Sequence, residues 1–142
     1  MGYPIDRLPP HNDEAEQAVL GSILIDPDAI DEVELDPGDF YRRDNQDIFA
    51  AMLAVRARGD PPNVVLVAEE LHRQGSEVSL ARFGNEPTSI YAAQYAAIVR
   101  RKAVLRRLIG AAGKIAAIGY EDGADLDEAR SRAEETLAAV WA

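Results

Sequence analysis

From Ser89 to Gly119 the chain runs for 31 residues without a proline or an acid. At about 1.5 Å per residue this predicts one helix of roughly 46 Å, too long for a small globule to cover. Its apolar residues fall in two stripes. Ile98, Leu105, Ile109, Ala112 and Ala116 recur at spacings of seven, four, three and four, while Val104, Leu108, Ala111, Ile115 and Ile118 run in threes and fours on an adjoining face. Together they cover roughly half the circumference, wider than the ~100° of a helix resting on one core. Such a helix needs at least two neighbours, and the pattern leaves open which stripe meets which.

The same periodicity predicts helices on either side. Asn12 or Asp13 caps a helix reaching Ile25, with Glu16 at capping-box spacing from Asp13 and Asp26-Pro27 as its stop. A short helix is expected around Ala29 to Val33. Arg43 to Arg58 buries Ile48, Ala51, Met52 and Val55 and ends at Gly59 and Pro61. Asn63 caps the next helix; its β-branched run Val64 to Val67 resembles a strand, but Ala68 to Gln74 continues it in helix-forming residues. Ser76 to Glu86 offers only Leu80 and Phe83 as anchors, which predicts a turn or a shortened helix. Pro87 and Thr88 then start the long helix.

After Gly119, Tyr120-Glu121-Asp122-Gly123 makes a turn and Asp125 with Glu128 repeats the capping spacing. Leu126, Ala129, Ala133, Leu137 and Val140 follow at threes and fours to the end. A short turn between two helices makes an antiparallel hairpin. The predicted class is all-α: an extended, proline-rich lead-in (residues 1–10), a small helical head (11–86) and a helical hairpin (87–142) serving as a dimerisation arm. The candidate protein interface comprises Ile98, Val104, Leu105, Leu108, Ile109, Ala112 and Ile115 on the first arm. On the second it comprises Leu126, Ala129, Ala133, Leu137 and Val140.

Charge changes the picture of the long helix. Arg100, Arg101, Lys102, Arg106, Arg107 and Lys114 are its charged residues, while residues 120–142 hold seven acids against two arginines. The acidic second arm is expected to face the basic first arm, although exposed pairs contribute only ~0.2–1 kcal/mol each. The chain as a whole has 142 residues, 47% of them hydrophobic, and a net charge of −10. That suits one domain with a real core and disfavours nucleic-acid binding, whose affinity comes largely from neutralised phosphates. No cysteine is present, which excludes disulfides and thiolate metal sites. No apolar run approaches the roughly 18 residues of a membrane span, so a soluble, cytoplasmic protein without a membrane partner is expected.

No catalytic, cofactor or metal site is expected in these residues. Gly110-Ala111-Ala112-Gly113-Lys114 has the wrong spacing for a phosphate loop, and Ile115 stands where a magnesium-holding hydroxyl would be needed. Glu69-x-x-His72 is half of a di-iron motif whose second half is missing. The acids between Asp26 and Asp39 lack calcium-loop spacing.

Several stretches carry a family resemblance. Leu8-Pro9-Pro10-His11-Asn12, Glu14 to Ser22 and Asp26-Pro27 closely resemble the opening of bacterial replicative DNA helicases of the DnaB type. Asp39-Phe40-Tyr41, Ile48-Phe49, Ala51-Met52, Arg58-Gly59 and Ala68 to Leu71 are similar to the next two helices. Tyr95-Ala96, Ile98-Val99-Arg100 and Lys102 to Ile109 resemble the hairpin helix. The likeness covers residues 8 to 141, except that members usually carry a Gly-Gly pair and a further Tyr-Leu helix where this chain has Ser76 to Glu86.

The resemblance implies an N-terminal assembly and primase-interaction domain. Paired hairpins make dimers, three dimers form the collar of a hexamer, and primase docks on the collar. The motor that binds ATP and Mg, holds single-stranded DNA and unwinds the duplex is expected outside these residues, so this part is not an enzyme on its own. A free-standing interaction protein that modulates a helicase or primase, phage-encoded for example, is the alternative, and a reading frame continuing past Ala142 into a phosphate loop separates the two. The charge balance predicts no shift of the chain with single-stranded DNA at low salt. Binding that weakens steeply as salt rises would instead make Arg100 to Arg107 a DNA surface.

Overall fold

The computed structural model of the chain describes residues 8–85, 90–123 and 125–142. The expected cap at Pro87 and Thr88, the first residue of the long helix at Ser89 and most of the lead-in lie outside the described residues. Five α-helices are formed among those described: α1 (Asp13–Ile25), α2 (Arg43–Ala57), α3 (Val64–Arg73), α4 (Ala92–Gly119) and α5 (Leu126–Ala138). Two compact units share them, one spanning His11–Lys102 and the other Ala103–Ala142 with residues 8–10. The division falls inside α4, which is one continuous helix of 28 residues.

In the first unit, α1 starts where Asn12 accepts the Ala15 N–H at 2.9 Å, so Asn12 rather than Asp13 is the cap. Glu16 does not complete a capping box. Its side chain turns inward, is almost fully buried, and receives the Tyr41 N–H on Oε2 at 2.8 Å and the Asn45 amide on Oε1 at 2.9 Å. The Arg42 N–H adds a longer contact to Oε1. Arg42 precedes α2 and has no side-chain cap of its own. The α1 carboxylate therefore caps α2 from outside, where negative charge suits the helix dipole.

Proline ends α1 as expected: Asp26, before Pro27, is extended (φ −133°) and cannot continue the helix. The acidic stretch beyond forms two 3-10 helices, Pro27–Glu32 and Pro37–Asp39, the first of them where a short helix around Ala29 to Val33 is expected. Prolines at their starts supply a fixed φ without needing a donor. Val64 to Val67 are helical, capped by Asn63 on the Leu66 N–H at 2.9 Å. Gly59, at φ +85°, sits just past the end of α2 in a conformation that favours glycine.

The head core gathers Val19, Leu20 and Ile23 of α1, Phe40, then Ile48, Phe49, Met52 of α2, Leu71 of α3, and Ala96 and Val99 of α4. Phe40 and Phe49 meet with centroids 5.1 Å apart at 41°. His11 stacks on Tyr41 at 4.2 Å and belongs to the helix entry. Asp39 is fully buried, accepts the Asp36 N–H at 2.8 Å and lies 3.5 Å from Arg100, which ties α4 to the turn before α2. At the α2–α3 corner, Glu70 receives Arg58 and, at 2.8 Å, Gln74; these donors, Arg58 first, hold its carboxyl below the usual carboxylate range.

Phe49 has no exposed surface, whereas Leu53, one turn on, is 37% exposed. Phe49→Ala should cost about 3–5 kcal/mol in urea unfolding. Leu53→Ala should stay within about 1 kcal/mol, and comparable losses at both positions would contradict this packing.

Candidate functional site

The second unit is an antiparallel hairpin. Its first arm is α4 from Ala103 onward and its second is α5, extended by a 3-10 turn at Ala139–Trp141. The turn between the arms is fixed by polar contacts. Asp125 caps α5 by accepting the Asp127 N–H at 3.1 Å, two residues on, so the pairing with Glu128 is not what holds the cap. Arg132 grips Glu121 with two hydrogen bonds, 2.6 and 3.0 Å. That grip holds the Glu121 carboxyl below its usual range and raises the Arg132 guanidinium.

One apolar stripe of α4 is spent inside the hairpin. Ala103, Ala111 and Ile118 are buried, and Val104 and Ile115 are half-buried. The matching residues on α5 are Ala129, Ala133 and Thr136, half-buried, and Val140, buried. A cleft along the seam is lined by Arg107, Gly110, Ala111 and Lys114 on one arm and Glu135, Thr136, Ala139 and Val140 on the other. The five residues expected on one face of α5 thus divide: Val140 lines the seam cleft and Ala129 and Ala133 are half-buried, whereas Leu126 (84% exposed) and Leu137 (43%) are exposed.

The other α4 stripe is left open. Ile98 is 39% exposed and Ile109 is 59% exposed, with Ala112 and Ala116 exposed beside them and Leu105 half-buried; Leu108, the member of the seam stripe nearest this face, is also 39% exposed and borders it. At about 100° per residue, Ile98, Leu105, Ile109, Ala112 and Ala116 fall within an arc of roughly 60°. That arc is turned roughly 140° from the buried stripe, so α4 has two separate apolar faces. Tyr91, 48% exposed, precedes Ile98 by seven residues and extends the open face toward the start of the helix. The expected interface begins at Ile98 and omits it; the sevenfold spacing Tyr91, Ile98, Leu105, Ala112 is the signal that marks it.

The basic residues do not all turn to the acidic arm. Arg100 reaches Asp39 in the head unit, and Arg106 donates to the Pro10 carbonyl at 2.8 Å. Lys114, by contrast, shares the seam cleft with Glu135. The expectation that α5 accounts for the whole basic face is corrected at Arg100 and Arg106: a charge pattern read along the chain does not show which carboxylate or carbonyl folding brings near. Gly110 to Lys114 lie inside α4, and Glu69 and His72 are both exposed on α3. No described helix is long and apolar enough to cross a membrane.

A helical head, a helical hairpin and an apolar face of α4 left open are the features to set beside known proteins. The family described as DnaB-like helicase N terminal domain matches residues 8–101, and the chain belongs to that family. It is 43% identical to the replicative DNA helicase DnaC of Bacillus subtilis (strain 168) over 95% of its own length, and 41% identical to the replicative DNA helicase DnaB of Mycobacterium leprae (strain TN) over 92%. It spans only 32% and 24% of those two curated relatives. The crystal structure of the N-terminal domain of DnaB helicase from Mycobacterium tuberculosis superposes with a TM-score of 0.81 at 40% identity, covering 93% of this chain and 99% of that one.

The Glu121–Arg132 grip yields a pH prediction. A carboxylate held below its ordinary pKa contributes stability that is present above that value and lost as pH falls through the depressed one. Glu121→Gln should therefore be less stable than the parent chain in urea melts at pH 7, and the difference should shrink as pH falls through the ordinary carboxylate range and vanish once Glu121 is protonated in the folded chain. A difference that does not change with pH would mean the pair does not carry it.

Proposed function

We propose that this chain is the assembly domain of a hexameric replicative DNA helicase. Its role is to pair with a second copy of itself through the open face of α4 and to offer the resulting collar to primase. The ATP- and Mg-dependent motor that grips single-stranded DNA and unwinds the duplex belongs to the part of the relatives that this chain does not span. On this reading the chain has no catalytic activity of its own and works in the cytoplasm. The observation that carries it is the open stripe: a second apolar face on a helix whose first is already used, in a member of a replicative-helicase domain family.

The magnitudes fit a pairing role. A fully buried Leu or Ile contributes about 1.5–3 kcal/mol, and these are already partly covered, so about half of that remains for each. Ile98, Leu105, Leu108 and Ile109 each count twice across a two-fold contact, because the same patch meets itself. The total, roughly 6–12 kcal/mol, is of the same order as the ~4–15 kcal/mol lost in association. Pairing of the isolated domain is therefore concentration-dependent, and the complete ring, which joins several such contacts, is held more firmly.

Light scattering after gel filtration at tens of micromolar should show a dimer. Ile109→Asp places a charge on the open face and should yield a monomer with undiminished helical circular dichroism. A parent chain that is already monomeric at that concentration, and is unaffected by the substitution, would sink the proposal.

A further inference from the structure

Residues 76–85, between α3 and α4, form turns in place of a helix. They are tied locally: the Val78 N–H donates to Ser76 Oγ at 3.2 Å, the Ala81 N–H to Ser79 Oγ at 3.1 Å, and the Phe83 N–H to the Leu80 carbonyl at 3.1 Å. Val78, Leu80 and Phe83 rest half-buried against the head core. The Ser76 N–H ties the start of the segment to the Leu71 carbonyl of α3 at 2.9 Å, and Arg82 carries side-chain bonds to α1 and α2. Arg82 Nε donates to Gln17 Oε1 on α1 at 3.0 Å, Nη1 to Asp44 Oδ2 on α2 at 3.1 Å, and Nη2 to Asn45 Oδ1. Its carbonyl accepts from Gln17 Nε2 at 3.1 Å, and its guanidinium lies 4.5 Å from the centroid of the Phe83 ring.

Asn45 passes this contact inward. It is buried, with its oxygen toward Arg82 and its nitrogen donating to the buried Glu16 carboxylate at 2.9 Å. Cation and carboxylate are thus linked through a single amide, which each of them orients. The same carboxylate holds the Tyr41 N–H at the entry to α2.

We propose that Ser76–Asn85 is a strap latched by Arg82, opening over α1 and α2 as a unit while the helical core stays folded, with its closure setting the start of α2 through Asn45 and Glu16. The strap has the makings of a low-stability unit: no helix of its own, three half-covered anchors, and one guanidinium reaching acceptors on two helices. The core beneath it, with Phe49 and Met52 wholly enclosed, does not share those weaknesses. Losing the guanidinium leaves the Asn45 oxygen without its charged donor and Glu16 without the cation that the amide relays.

Amide hydrogen exchange on the whole 142-residue chain tests this. In Arg82→Ala the amides of Val78, Ala81 and Phe83 should exchange about tenfold faster or more, and that of Tyr41 should follow them. Those of Met52 and Leu71 should stay within about twofold of the parent. Arg82→Lys, which keeps the charge but not the fork, should fall between the two, and Gln17→Ala should give the same order with a smaller effect. Unchanged strap amides would overturn the proposal, as would acceleration of Met52 and Leu71 in step with the strap. Strap amides that accelerate while Tyr41 stays protected would overturn the link to α2.

Discussion

The structure depends on one helix serving two cores. At 28 residues, α4 is about 42 Å long, and no single small core encloses that length. It gives Ala92, Ala96 and Val99 to the head and Ala103, Ala111 and Ile118 to the hairpin. Most of the buried positions are alanine, whereas the larger Ile98, Leu108 and Ile109 remain partly exposed. The unspent face follows from the length of the element combined with the small size of what covers it.

The head meets a different constraint, the burial of charge. Glu16 and Asp39 lie in its interior, where an uncompensated carboxylate would be expensive. Each is answered by donors at the approach to α2. Glu16 takes two backbone N–H groups and an amide, while Asp39 takes the Asp36 N–H and the nearby Arg100. These contacts fix how α1 enters α2 and where α4 crosses the intervening turn. Apolar packing supplies the bulk of the stability, while each buried carboxylate is satisfied only when its donors stand where this fold puts them.

Surface charge plays a smaller part. The bidentate pairs Arg42–Asp13 and Arg132–Glu121 stand in solvent, and each lowers the acid's pKa chiefly by hydrogen bonding. They locate ends: the first joins the start of α1 to the start of α2, and the second closes the hairpin turn. The basic face of α4 is likewise divided, with Arg100 turned to the head, Arg106 to the lead-in and Lys114 to the seam with α5. A row of like charges along a helix therefore has no single partner once the chain is folded.

Local rules were enough to place the helices. Asn12 and Asn63 at helix starts, Pro27 and Gly59 at helix ends, and the threes and fours of Ile48, Met52 and Val55 act within a turn or two, so they are readable along the chain. The two-faced character of α4 was equally legible, because it is a periodicity. Which face is covered was decided only by the fold: Ala111 and Ile118 are buried along the seam with α5, leaving the Ile98–Ile109 stripe open. The roles of Glu16 and Arg82 also lay beyond the sequence. At Asp13–Glu16 the capping-box spacing pointed to a local bond, whereas Glu16 is bonded to residues 25 and 29 positions away and Arg82 to partners 37 to 65 positions away. Spacing along one helix constrains what its neighbouring turns can do, but a polar side chain bonds whatever tertiary folding brings within 3 Å.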